Sequence, residues 1–195
     1  MTPDRTAMLK LENARLSKRL REVQAELAHV RRESDRCIQH LTRVYVAAES
    51  LQLSLELEEV LRCLKEIVIN LIGSETFGIY DTGAKGQALR LLAHEGLESP
   101  SAVRREGDVA RALDLGQPVI AEERGLTSGE PLVSIPLRFR ACELGAILIY
   151  RLVDHKPGLD DFDREFIALF AGQASRALYL SRLQATCAHE QVTLA

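Results

Sequence analysis

PLVSIPLRFRACELGAILIYRL, residues 131–152, is the stretch on which the fold turns. Two β-favouring apolar runs, Leu132–Phe139 and Glu143–Tyr150, flank Arg140-Ala141, and the stretch reads as an antiparallel hairpin. Upstream, EERGLTSGEP is a loop and Val119–Ala121 a brief strand. A short helix, Val109–Leu115, is expected between Asp108 as its cap and Gly116 and Pro118 as its stop. Residues 95–107 read as loop. Thr76–Tyr80 and Ala88–His94 form a first hairpin around the turn-rich DTGAKGQ. Downstream, past Pro157 and Gly158, Asp160 caps a long helix reaching about Ala188. Its buried stripe is Phe166, Ile167, Phe170, Ala174, Ala177, Leu178 and Leu183, and Ala171, Gly172, Ala174 and Ser175 keep part of it narrow for close packing.

The opposite end of the chain has a different period. Thr2-Pro3-Asp4 suits a helix start, and neither Pro nor Gly follows until Gly73, which reads as the terminator of one long helix. Leu9, Leu16, Val23, Val30, Cys37, Val44 and Leu51 recur every seven residues, and four after each stand Asn13, Leu20, Leu27, Ser34, Leu41, Ala48 and Leu55. Twelve of these 14 positions are apolar, against nine of the other 33 between 9 and 55. That contrast is a coiled-coil seam, with the first set at d and the second at a. It would extend roughly 70 Å at 1.5 Å per residue.

The expected partner is a second copy, as a parallel homodimer joined through Leu9, Asn13, Leu16, Leu20, Val23, Leu27, Val30, Leu41 and Val44. Asn13 at an a position pairs with its copy and fixes register, and Glu26 at g faces Arg31 at e of the other chain. Leu at a with Val at d leans instead toward higher oligomers. Beyond Ile38 the stripe widens through Tyr45, Val46 and Ala47, as in a helix with more than one neighbour.

Composition narrows the function classes. The 195 residues are 46% apolar and 27% charged with net charge −3, an ordinary folded chain with no global attraction to nucleic acid or anionic membrane. Residues 1–46 carry +4 and the remainder −7, and the basic helix lacks interleaved aromatics. The charged N-terminus does not read as a signal peptide, and no apolar run approaches a membrane span, so a cytoplasmic location is expected. Cys37, Cys63, Cys142 and Cys187 form no C-x-x-C pair and fit no zinc spacing.

In order along the chain, ESLQLSLELEEVLRCLKEIVINLIG, TFGIYD with ALRLLAHEGL, GDVARALDLGQPVIAEE, PLVSIPLRFRACELGAILIYRL and DDFDREFIALFAGQASRALYLSRLQ resemble the segments of a GAF domain over about residues 50–186. The resemblance implies an α+β fold: a long N-terminal coiled-coil helix, then a GAF-like antiparallel sheet with its opening and closing helices on one face. The implied layout is coiled coil 1–46, GAF-like domain 47–188 and tail 189–195. In the family a small-molecule pocket can lie on the opposite face.

The chemistry of known family ligands is missing. There is no NKFDE-type sequence and no bilin-attachment Cys-His pair, and only about 25 residues between His94 and Val119 are available to build a cover. His94 reads as a surface or capping residue at a strand end, Arg104-Arg105 as a solvated pair and Cys142 as a packing residue. Ser134 and Arg138 alternate on one strand as pocket-lining candidates. Asp160, Asp161 and Asp163 are explained by helix capping without a metal. Neither catalytic residue nor cofactor is assigned. The expectation is a non-enzymatic signalling or adaptor protein. The alternatives are a ligand-sensing GAF domain and, in another class, a thiol redox enzyme using Cys142.

Overall fold

The structure, a computed structural model, describes residues 5–53, 56–82, 88–98, 101–121 and 129–193, and of 5–7, 40, 53 and 188–193 the backbone alone. The expected start at Thr2-Pro3-Asp4, the DTGAKGQ turn at 83–87 and seam position Leu55 lie outside the described residues. The chain divides into two compact units, Met1–Thr42 and Arg43–Ala195.

Helix α1 is Arg5–Leu53, and its part through Thr42 makes up the first unit. There the seam residues Leu9 to Val30, and Leu41, are between 47% and 62% exposed. Asn13 and Cys37 are exposed as well. Outer positions pair among themselves, as Lys18 does with Glu22 at 3.9 Å.

In the second unit the last turns of α1 change role. Ala47 and Leu51 are buried, and Val44 packs half-buried on the same core. The expected single helix to Gly73 is interrupted: Glu56 is extended (φ −76°, ψ 139°), and α2, Leu57–Ile67, restarts after it. No Gly or Pro marks the break; the cause is phase. Continuing the seam places Glu58, Arg62 and Lys65 inward, whereas the buried stripe of α2 is Val60, Cys63, Leu64 and Ile67. One straight helix cannot bury both stripes. After α2 a single π turn, Val68–Ile72, closes with the Gly73 N–H donating to the Val68 carbonyl at 3.0 Å. Gly73 takes φ 77°, the left-handed cap expected of it.

Six strands follow: β1 Ser74–Thr82, β2 Ala88–Glu95, β3 Val103–Arg104, β4 Val119–Ile120, β5 Val133–Phe139 and β6 Cys142–Leu152. They make one antiparallel sheet in the order β3-β2-β1-β6-β5-β4. The two-residue β3 lies within the stretch read as loop. Helix α3, Gly107–Leu115, connects β3 to β4, and α4, Asp161–Thr193, closes the domain. Gly145 is indispensable to the central pairing: a Cβ there would stand 1.9 Å from the Tyr80 carbonyl oxygen.

The opening and closing helices pack on one face, as expected. Leu64 and Val68 meet Ile79, Ile135, Ile147, Phe166 and Ile167 in one core. Leu183 departs from the expected stripe of α4 and is 49% exposed. The small residues of α4 cover the edge of β5 beyond β4. The Leu132 carbonyl accepts from Ala121 at 2.9 Å, so alternate residues onward face that edge. Pro136 has no N–H, and the Arg138 N–H donates to Ser175 Oγ at 2.8 Å, whose own hydroxyl donates to the Ala171 carbonyl at 2.6 Å.

Capping follows the sequence at α4 and departs from it at α3. The Asp163 N–H donates to Asp160 Oδ1 at 2.8 Å, and the Asp160 N–H returns to Asp163 Oδ2 at 3.2 Å. Asp163 is itself buried, and its charge is answered by Lys156 at 2.8 Å and Arg43 at 3.5 Å. Lys156 also donates to the Ile72 carbonyl at 2.7 Å, tying the π turn to the start of α4. Asp108, expected to cap α3, stands within its first turn, since the helix begins one residue earlier and Glu106 precedes it without a side-chain cap.

Candidate functional site

On the sheet face away from α2 and α4, the part over β1, β2 and β6 is closed among the described residues, and a cavity of about 650 Å³ opens beside it between Tyr150, Ile120 and Gly129. Val109 and Leu113 of α3 close on Tyr80, Leu89, Ala146 and Leu148. The Tyr80 ring lies back over Gly78: a Cβ on that glycine would stand 2.5 Å from Tyr80 Cε2. The absence of a side chain at 78 is what lets the ring lie flat and seal the face. The Tyr80 hydroxyl is bonded to that of Tyr150, and burial pushes both phenols above their ordinary range, Tyr150 further than Tyr80.

Polar groups remain under this cover. Register aligns His94, Gly78, Leu148 and Ser134 in one row across β2, β1, β6 and β5. Ser134 is buried and its Oγ has no hydrogen-bond partner, and His94 Nδ1 is likewise buried without one. His94 as a whole is half-buried at its strand end, with Nδ1 turned away from solvent. Three strand spacings separate the two, about 14 Å. An unsatisfied buried polar atom costs on the order of 1–3 kcal/mol.

The other pocket-lining candidate is elsewhere. Arg138 opens on a cleft of about 490 Å³ bounded by Gly116, Gln117 and Pro118 after α3 and by Gly172 and Ser175 of α4. Ser134 does not line it, so Ser134 and Arg138 do not act together as their spacing on one strand suggested. A β-bulge at Leu137/Arg138 shifts the strand between them.

The Arg104-Arg105 pair divides as well. Arg104 is exposed beside Glu106 at 3.7 Å. Arg105 is no solvated residue: it grips both oxygens of Glu143 at 2.7 and 3.1 Å and Asp114 at 2.7 Å. These bonds, Asp114 first, hold it above its ordinary pKa. Its charge joins β6 to α3, and none is left over for a phosphate.

None of the four cysteines forms a disulfide; Cys63 is buried and Cys37, Cys142 and Cys187 are exposed. Cys142 thus has no packing role, contrary to expectation. It opens β6 two residues after Arg140, which takes φ 53° and lays its guanidinium 5.5 Å from the centre of the Phe139 ring. Among the described residues no helix is long and apolar enough to cross a membrane.

No protein-family model matches the chain, and no curated protein does. Solved structures do. The GAF domain of the Acinetobacter phosphoenolpyruvate-protein phosphotransferase aligns with a TM-score of 0.60 at 16% identity, over 74% of this chain and 95% of that one. The second GAF domain of DevS from Mycobacterium smegmatis gives 0.56 at 16%, over 68% and 99%. The free methionine-R-sulfoxide reductase of Neisseria meningitidis gives 0.57 at 13%, over 74% and 91%. The fold is GAF-like.

Proposed function

We propose that the protein is a non-enzymatic, cytoplasmic signalling or adaptor protein that self-associates through the α1 seam and offers its GAF-like domain to a protein partner. One observation carries the reading: an apolar seam stands uncovered from Leu9 to Leu41 on α1, while among the described residues α3 and Tyr80 close the sheet face over β1, β2 and β6. The proposal assigns it no nucleic acid, membrane or cofactor. Light scattering of the full chain at tens of micromolar should give a dimer mass. Leu20→Asp with Leu27→Asp should give a monomer whose second unit still unfolds cooperatively. A monomer for the unaltered chain would overturn the reading.

A second reading, a sensor of a small polar ligand, is favoured by the orphaned Ser134 Oγ and His94 Nδ1 in the row that runs through Gly78. A swing of the Tyr80 ring would admit a molecule able to bond to them. A ligand that raises the melting temperature of the native chain by several degrees and loses that effect in Ser134→Ala would favour the sensor. The exposed Cys142 keeps an enzymatic alternative testable. Thiol-dependent reduction of free methionine sulfoxide by the purified chain, abolished in Cys142→Ser, would replace the adaptor reading.

A further inference from the structure

We infer that the α1 seam takes a second copy of this chain in parallel, in-register alignment, with Cys37 of one chain level with Cys37 of the other. The inference rests on the self-association proposed above and adds its direction. It starts from what the second unit has already used. An antiparallel pairing over the whole seam would set Asn13 against Leu51 and Leu20 against Val44. Leu51 is only 4% exposed, and Val44 packs on the same core. Those residues are committed, so an antiparallel pair is confined to residues 9–41, with Leu9 level with Leu41.

Two features weigh against that pairing. Its layers set Asn13 against Cys37 and Ser34 against Leu16, so each polar seam residue loses its copy as a partner and meets a sulfur or a leucine. In the parallel register Asn13 lies on Asn13 and Ser34 on Ser34, where amide can bond to amide and hydroxyl to hydroxyl. The flanking charges agree. Antiparallel pairing gains Arg19 with Glu33 but sets Glu26 against its own copy. Parallel pairing sets Glu12 beside Ser17, Arg19 beside Gln24, Glu26 beside Arg31 and Glu33 beside Ile38: one attraction and no like-charge pair. Asn13, Glu26, Arg31 and Ser34 are all exposed on α1 and free to meet a second chain. The consequence is that both chains leave the seam at the same end, each continuing into its own second unit.

Cys37 at a d position reports the direction. In the full chain carrying Cys63→Ala, Cys142→Ser and Cys187→Ser, diamide should convert nearly all the protein to a covalent dimer. Two thiols lose two protons and two electrons to the diazene, which becomes the hydrazine, and dithiothreitol reverses the link. In the antiparallel register Cys37 lies level with Asn13, about 36 Å from its copy at 1.5 Å per residue, beyond the roughly 7 Å between Cα atoms that a disulfide spans. A reading without cysteine comes from charge reversal at low salt. Glu26→Arg and Arg31→Glu should each lower the melting midpoint of the dimer, and the double reversal should restore it. A dimer mass with neither crosslink nor restoration would overturn the direction and leave self-association standing. A trimer or tetramer mass would overturn the single second copy, and a monomer would remove both proposals.

Discussion

The two faces of the sheet are built by the same strands and closed in different ways. On the helix side, 24 buried residues among those described, from α1, α2, the π turn, the strands and α4, share one apolar cluster. On the other side six suffice, sealed by α3 and the ring of Tyr80, and two polar atoms there have no partner. A face that only had to be stable would bury aliphatic groups in the row occupied by Ser134 and His94. On the helix side the buried Asp163, Ser175 and Ser181 all have partners, whereas Ser134 and His94 on the far face each bury a polar atom without one.

Substitutions and pH can break or sharpen this contrast. The largest effect is expected on the helix side. Leu64 is fully buried there, and Leu64→Ala should lower unfolding free energy by about 2–5 kcal/mol in urea titrations through lost transfer energy and a cavity. Leu27→Ala, in the exposed seam, should leave the second unit's transition unmoved. A smaller loss, about 1–3 kcal/mol, is expected of Gly78→Ala, because the new methyl must push the Tyr80 ring off its seat. Tyrosine fluorescence should show the ring more exposed, and an unchanged spectrum would mean that the far face yields by backbone movement instead.

The phenols give a pH signature confined to the far face. Burial raises Tyr80 and Tyr150 in the folded chain, so above about pH 10 the unfolded chain ionises them while the folded chain holds them protonated. Unfolding free energy should then fall with rising pH by up to about 1.4 kcal/mol per unit for each tyrosine, until the folded phenols ionise in turn. Tyr150→Phe should flatten that alkaline slope. The smallest effect is at the start of α4, where Asp160→Ala removes one bond of the capping box and should cost about 1 kcal/mol by thermal melting.

What the sequence disclosed follows from how local each cause is. The Gly73 cap, the Asp160 box and the two hairpins depend on a few neighbouring residues and were legible. The break at Glu56 was not, because no residue there forbids a helix; it arises from two stripes out of phase on opposite sides of it. Tertiary partners also decided the site. Arg105 looked solvated until β6 and α3 brought Glu143 and Asp114 to it, and the buried Nδ1 of the half-buried His94 depends on a register that sets it in one row with Gly78 and Ser134. Cys142 illustrates the reverse: a residue type that usually packs stands free because its strand begins at a hairpin turn.

The hydroxyl of Ser175 has a consequence beyond packing. Sheets recruit extra strands through outward-facing amides, and such recruitment underlies both peptide capture and runaway fibre growth. Beyond β4, the edge of β5 shows no such amide at Pro136, and the one at Arg138 is bonded to Ser175. A neighbouring chain that reached this margin would find no donor to bond at either position. Ser175→Ala would strip the Arg138 amide of its partner and leave the cover of α4 alone to screen it from a neighbouring chain.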